Sequence, residues 1–465
     1  MIFKCNQPIS NPSEVIQMKN NVLKLIYVAT LGGFLFGYDT AVINGAVGPL
    51  SDYFSLSPEV TGFATASALI GCVIGSAISG ILSSRLGRKL SLIIAAILFL
   101  ISAIGCALPE SIEMLIVFRI IGGIGVGLAS MVSPMYIAEI SLPRNRGKYV
   151  SYYQLAVVIG IQIVFFVNYA IAQVGSREWI DLVGWRWMFA SEALPAIAFL
   201  IFLFFVSDSP RWFAMKNMYD KARSVLEKIR GTRDVDEEIN EIKHSLTIGS
   251  GSDKAILSEK KVPFLILIGI LLSFFQQVTG INVIMYYGTE IFRSMGEGIN
   301  QALFQSALVG AVNLIFTIVA IRTIDKFGRK PLLIIGSIGM FLSISTLGTL
   351  IYFNQFGIPA LISVLVFIAS FAMSMGPVVW VLISEIFPNR IRNFAMPIAV
   401  AAQWVSNFLV TQTFPVLEHY VHSAFPFWLY GFMCLVAIAF TVKYIPETKG
   451  RSLEEMEKVF GIGRE

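Results

Sequence analysis

Three ionisable residues stand where few are tolerated. Asp39 lies inside an apolar run from about Leu23 to Leu50, Arg119 inside one of about 112–138, and Glu192 inside one of about 186–206. Each run is long enough to cross a bilayer. A charge in the middle of such a helix costs roughly 2.5–3.5 kcal/mol on insertion scales. A carboxyl group held there suits one chemistry well: it takes up and releases a proton. The plainer reading of Asp39 is a helix-end residue facing outer water, and the opposite charge of Arg119 speaks against it. At 1.5 Å per residue, Asp39 is about 25 Å along its span, and Arg119 and Glu192 are each about 10 Å from the outer ends of theirs. In a core roughly 30 Å thick, Asp39 and Arg119 fall within one or two turns of each other and are expected to pair. Protonating Asp39 would free Arg119, which could then turn to Glu192.

A second set of residues suits a neutral, polyhydroxylated ligand. The apolar runs also hold Gln154, Gln276, Gln277, Asn282, Asn313 and Gln403, with the rings of Trp380 and Trp404. Each amide offers two donors and a two-lone-pair acceptor, and a flat ring stacks on the C–H face of a pyranose. A buried amide without a partner is costly, so a cluster of them around a hydrated cavity makes sense. The competing use of each is to bridge two helices. Two runs carry helix breakers, Thr279-Gly280 and Met375-Gly-Pro-Val378. Pro377 cannot donate a backbone hydrogen bond and opens its helix.

The elements that must position these groups are membrane spans. Of 465 residues 55% are hydrophobic and only 14% charged, against about 25% charged in soluble domains. Mean hydropathy is +0.72. Twelve apolar runs are expected at about 22–50, 60–83, 90–108, 112–138, 149–173, 186–206, 262–294, 302–324, 331–353, 359–387, 394–417 and 425–445. The expected fold is an all-α membrane protein of two six-helix halves. A tail, 1–21, expected to be disordered, precedes the first half, 22–206. A connection with short helices, 207–261, leads to the second half, 262–446, and to a tail, 447–465. Arg85, Arg88, Lys89, Arg144, Arg146, Lys148, Lys326, Arg329, Lys330, Arg390 and Arg392 fall in alternate short loops, which places those loops, both termini and the connection in the cytoplasm. The net charge of +5 gives no reason to expect nucleic acid. Cys72, Cys106 and Cys434 sit in apolar runs without metal or disulfide spacing. Neither a nucleophile with its base nor a metal cluster is seen, so an enzyme, a cofactor and a metal are not expected. Gly122-Gly-Ile-Gly-Val-Gly127 follows no strand and reads as close helix packing, not a nucleotide loop.

The halves repeat. Arg85-Leu-Gly-Arg-Lys89 returns as Lys326-Phe-Gly-Arg-Lys330, an offset of 326 − 85 = 241. Glu139-Ile-Ser-Leu-Pro143 returns as Glu385-Ile-Phe-Pro388, an offset of 385 − 139 = 246. Ser209-Pro-Arg-Trp212 after the sixth run mirrors Pro446-Glu-Thr-Lys-Gly450 after the twelfth. Parallel repeats imply a two-fold axis along the membrane normal and a site near the midplane. The repeat also suggests that Arg88 with Glu139, and Arg329 with Glu385, form helix-to-helix ion pairs closing the inner mouth. As exposed pairs they would each contribute about 0–1 kcal/mol, weak enough to open every cycle.

These motifs, with Phe36-Gly-Tyr-Asp-Thr40 and Gln276-Gln-Val-Thr-Gly-Ile-Asn282, resemble the sugar porter family of the major facilitator superfamily over about 23–456. The likeness is greatest to its bacterial, proton-coupled, D-xylose-carrying members, through Gly184-Trp-Arg-Trp-Met-Phe-Ala-Ser-Glu192 and Ala401-Ala-Gln-Trp404. The resemblance implies a monosaccharide importer of the cell (inner or plasma) membrane, expected to be a monomer, working by alternating access. It implies a proton switch of Asp39 and Arg119 assisted by Glu192, a sugar at Gln276, Gln277 and Asn282, and gating by the interrupted spans. Ser84 stands where the superfamily often has Asp. Ile161 stands where the xylose carriers have a sugar-contacting Gln, with Gln162 one residue on, so the choice among pentoses and hexoses stays open. Facilitative members carry Asn where Asp39 stands, which favours a symporter over a uniporter. One charge crossing 100 mV is worth about 2.3 kcal/mol, enough for roughly a forty-fold sugar gradient. A sugar sensor on the same scaffold would be expected to carry a long tail, whereas 465 − 445 = 20 residues follow the last run. His244, His419 and His422 read as surface residues.

Overall fold

A computed structural model describes residues 12–142, 145–232, 234–248, 262–387 and 389–450. The tail up to residue 11, the connection from 249 to 261, and the tail from 451 lie outside the described residues. So do Pro143, Arg144 and Pro388 of the repeated motifs and the side chains of Arg390 and Arg392.

Among the described residues, twelve helices are long and apolar enough to cross a membrane. Spans one to six are Asn21–Phe54, Pro58–Leu86, Arg88–Ala107, Ile112–Ile140, Arg146–Ala172 and Arg177–Phe204. Spans seven to twelve are Val262–Ser294, Ile299–Phe327, Arg329–Tyr352, Ile358–Ile386, Phe394–Tyr420 and Phe425–Tyr444. Among the described residues there is no strand. This is the all-α, twelve-span arrangement the sequence predicts, with one correction: the first helix already begins at Pro12, inside the tail expected to be disordered. The end that carries the 207–261 connection is called the linker end below, and the opposite end the distal end.

Three spans are broken, each for a local reason. Span seven stops at Val278 and restarts at Ile281, with Gly280 at φ 86, a left-handed conformation that costs glycine nothing. Span ten stops at Met373 and restarts at Met375. That break lies four residues before Pro377, whose ring collides with the Met373 carbonyl in a continuous helix. Span six, expected as one run from 186, begins at Arg177 with a wide turn at Ile180–Gly184 and breaks at Ser191–Glu192. Pro195 removes the N–H that would reach the Ser191 carbonyl, and Leu194 N bonds that carbonyl instead at 3.3 Å.

Glycines set how closely the spans pack. A Cβ on Gly123 would lie 1.8 Å from the Ala68 carbonyl oxygen, and one on Gly127 2.5 Å from that of Cys72. The glycine run in span four therefore seats span two, as the packing reading expects. Gly37 and Gly160 bring spans one and five together in the same way. Between halves, span two lies along span eleven, and span five along span eight. In the connection, Tyr219–Arg230 and Asp236–Ile248 are helical. Val225 and Ile229 are buried under the first half with Ile26, Ile140 and Tyr149. Arg230 donates to the Ile140 carbonyl at 3.0 Å and holds Glu238 at 2.7 Å.

Candidate functional site

Mid-depth in the first half, Arg119 Nη1 lies 3.1 Å from Asp39 Oδ1 and 3.0 Å from the Asp39 carbonyl oxygen. Asp39, Arg119 and Glu192 are each no more than 1% exposed. The Glu192 carboxyl is within hydrogen-bonding reach of the Asp39 carboxyl. Asp39 Oδ2 and Glu192 Oε1 have no donor of their own. Arg119 also sits over the Phe189 ring at 5.8 Å. The expected trio is thus assembled, with Glu192 already at Asp39 while Arg119 is still paired.

Between the halves lies a cavity of about 140 Å³, against the ~10–15 Å³ that one water occupies. All eight residues expected to contact a ligand line it: Gln154, Gln276, Gln277, Asn282, Asn313, Trp380, Gln403 and Trp404. The spacing argument did not single out Phe36, Phe371, Tyr286 and Asn407, which also line it. Apolar residues are abundant in every span, so only the packing distinguishes these rings; Phe36, for instance, lies 5.6 Å from Trp404, ring to ring. Ile161 is in the wall. Gln162 points elsewhere and donates to the Ala307 carbonyl of span eight at 3.2 Å.

The amides form a directed chain. Asn282 Nδ2 donates to Gln277 Oε1 at 2.6 Å, and Gln277 Nε2 to Gln276 Oε1 at 3.2 Å. Gln276 Nε2 then donates to the Met375 and Gly376 carbonyl oxygens at 2.7 and 3.2 Å. Gln276 therefore also does what a bridging amide does: it ties broken span seven to broken span ten. Other groups of the wall are left ready. Gln403 Oε1 and Trp404 Nε1 are buried with no partner, an acceptor and a donor that ligand hydroxyls would satisfy. A larger crevice, about 850 Å³, opens near Lys24, Phe205 and Lys228 at the linker end and carries none of these amides.

At the linker end, Arg88 pairs with Glu139 at 2.7 Å and Arg329 with Glu385 at 2.9 Å. One part of the expectation is corrected. These pairs are not exposed: the side chains of Arg88 and Glu139 are 6% and 13% accessible, and those of Arg329 and Glu385 11% and 26%. They lie under the helix ends, so the weakness expected of surface pairs does not apply. Each pair also stays within its own half. Two acids were missed by the motif reading. Asp208 accepts from the backbone N–H of Arg88 at 2.8 Å, and Glu447 from those of Arg329 and Lys330 at 3.0 and 3.1 Å. The signal was present as the mirrored Ser209-Pro-Arg-Trp212 and Pro446-Glu-Thr-Lys-Gly450, with the acid just before one motif and inside the other. Burial pushes the Asp208 carboxyl up from its ordinary range. Burial acts on Glu447 too, but backbone donors from Lys449, Arg329, Lys330 and Thr448 outweigh it and hold that carboxyl low.

The bonds joining the halves gather toward the distal end. Asn44 donates to the Met285 carbonyl at 2.8 Å and accepts from Thr289 at 2.5 Å. Gln412 donates to the Glu59 carbonyl at 3.0 Å, and Asp52 lies 3.8 Å from Arg293 and 3.5 Å from Arg177. These distal contacts were not foreseen, since polar residues near span ends are common. His244, His419 and His422 are exposed, as expected.

Comparison with known proteins follows the same lines. Residues 25–460 match the profile of the family described as "Sugar (and other) transporter". The chain is 46% identical to the D-xylose-proton symporter of Escherichia coli K12, over 94% of this chain and 96% of that one. It is 42% identical to the arabinose-proton symporter of Bacillus subtilis 168, over 94% and 95%. The inward-open structure of the xylose transporter XylE from E. coli superposes with a TM-score of 0.85, covering 94% of this chain and 99% of that one.

Proposed function

The chain belongs to the sugar transporter family, and from that premise we propose that it imports a monosaccharide, D-xylose or a similar pentose or hexose, together with a proton. It is a multi-pass membrane protein of the major facilitator fold and not an enzyme. The observation that carries the coupling is the buried Asp39–Arg119 pair at 3.1 Å, with the Glu192 carboxyl facing it.

With the proton off, Asp39 holds Arg119 and so ties span one to span four. With the proton on, the pair is neutral on one side, Arg119 is released, and Glu192 is the acid within reach. Thr40 and Ala41, next to Asp39 on the same helix, line the cavity. A change at Asp39 is thus passed to the sugar wall through one turn of span one. In the cavity, ligand hydroxyls would meet Gln154, Asn282, Asn313, Gln403 and the Trp404 N–H, with Trp380 and Trp404 against the ring. A hydroxyl that takes Gln276 from the Met375 and Gly376 carbonyls would loosen the tie between spans seven and ten. Arg88–Glu139 and Arg329–Glu385 brace the linker end of each half, and the distal contacts of Asn44, Asp52 and Gln412 close the opposite mouth.

The basic loops support a cytoplasmic position for the linker end, both termini and the 207–261 connection. On that reading the distal end is outer, and the conformation is open inward. The two transport units are 22–206 and 262–446, and the working unit is one chain. Counterflow in proteoliposomes with a panel of pentoses and hexoses tests the substrate class. Saturable exchange of at least one is expected, and none exchanging would end the reading.

A further inference from the structure

Tyr38, which precedes Asp39, and Ser191, which precedes Glu192, are joined by a hydrogen bond. Tyr38 Oη lies 2.8 Å from Ser191 Oγ. Ser191 Oγ in turn donates to the Met188 carbonyl at 2.6 Å. A hydroxyl has one proton to give, so the direction is fixed: Tyr38 donates to Ser191, and Ser191 donates to Met188. Tyr38 is 3% exposed and lies outside the sugar-lining wall.

The bond falls at the break in span six. Glu192 N–H donates to the Phe189 carbonyl at 3.2 Å, three residues back, and not to Met188 in the regular helical pattern. The Met188 carbonyl is the one Ser191 Oγ takes up. Pro195 has opened the other side of the break. The break keeps the regular bonds of Ser191 N–H to Trp187 and Ala196 N–H to Glu192, at 3.0 and 3.1 Å, but the Met188 carbonyl is held through Ser191 by a side chain arriving from span one.

We propose that Tyr38 is a positioning residue: through Ser191 it fixes the span-six break so that the Glu192 carboxyl is held against Asp39. This rests on the reading of Asp39 as the proton-carrying group. The groups that face the two carboxyls are Arg119 from span four, Cys72 from span two, Cys106 from span three and Tyr286 from span seven, besides Tyr38 itself. None of them supplies a second tether to Ser191. Tyr38→Phe keeps the ring and its packing and deletes only the donor.

The test uses the full chain in proteoliposomes, with D-xylose as probe, and follows sugar-driven proton uptake across pH. Tyr38→Phe and Ser191→Ala are each expected to displace the midpoint of that profile by about half to one pH unit, the reach of one hydrogen bond. D-xylose counterflow should stay close to wild type in both. Ser191→Thr, which keeps the hydroxyl, should keep the wild-type midpoint. A Tyr38→Phe or Ser191→Ala profile that superimposes on wild type, with wild type coupled, overturns the inference alone. Wild type without sugar-driven proton uptake overturns the symport reading, and the inference falls with it.

Discussion

Arg88 and Arg329 occupy the same place in the two halves, and so do their surroundings. Each follows a glycine with a left-handed φ, 93° at Gly87 and 90° at Gly328. Each pairs with a glutamate, and each has its backbone N–H bound by an acid from beyond the last span of its half. The next lysines match as well: Lys89 reaches the Phe204 carbonyl at 3.1 Å, and Lys330 the Val442 carbonyl at 2.9 Å. Mid-depth the likeness ends. The repeat offset carries Asp39 onto Gly280, since 39 + 241 = 280. Where the first half keeps a buried charge, the second has the glycine of a broken helix. Arg119, Asp39 and Glu192 belong to one half; five of the six expected amides belong to the other. The halves are thus alike at the linker end and differ at mid-depth. On this account the proton is managed in the first half and the sugar chiefly in the second.

The predictions can break that division. The largest effect is expected from Asp39→Asn, which should abolish uphill accumulation, worth roughly forty-fold at 100 mV, and leave exchange of sugar down its gradient. Loss of both together would deny the division. Gln277→Ala is the counterpart in the second half. It removes one link of the amide chain and should weaken sugar affinity by about tenfold, the scale of a buried hydrogen bond, while the protons moved per sugar stay unchanged. A changed ratio would put Gln277 in the proton machinery.

The likeness at the linker end can be sharpened in turn. Arg88→Ala leaves Glu139 without its partner, whereas Glu385 after Arg329→Ala keeps the Thr448 hydroxyl at 2.5 Å. The better-buried Glu139 should suffer more, so Arg88→Ala should lower the melting temperature further and slow cycling more. Breaking a fully buried pair costs about 3–5 kcal/mol, an upper bound here. Equal losses would mean that burial does not separate the two. The smallest effect is in acid. The Glu447 carboxyl is held low, so it stabilises the fold above its unfolded pKa and loses that contribution as pH falls through the folded value. Asp208 is held high, so its contribution has the opposite sign and declines as pH rises. Glu447→Gln should flatten the acid loss of melting temperature below about pH 4.5, near the ordinary Glu value, and Asp208→Asn should not. The reverse pattern would contradict the bonding described.

Much of this was legible in the chain because membrane spans are long and their exceptions are few. Asp39, Arg119 and the eight cavity residues are polar or aromatic groups in apolar runs, and depth counting placed the charges at one level. What escaped depends on bends. Span six breaks at Ser191 because Pro195 lacks an N–H, which aims Glu192; Pro195 stood inside the expected run without being read as a breaker. Span ten breaks at Ser374, three residues ahead of the Pro377 that signals it. The burial of the Arg88 and Arg329 pairs depends on how helix ends fold over them, which residue spacing does not encode.

The most direct measurement is a pH electrode outside proteoliposomes when sugar is added, for wild type and Asp39→Asn side by side. The account predicts alkalinisation with wild type and a flat trace with Asp39→Asn, with counterflow intact in both. Equal alkalinisation in the two, or none with wild type under any condition, would contradict it.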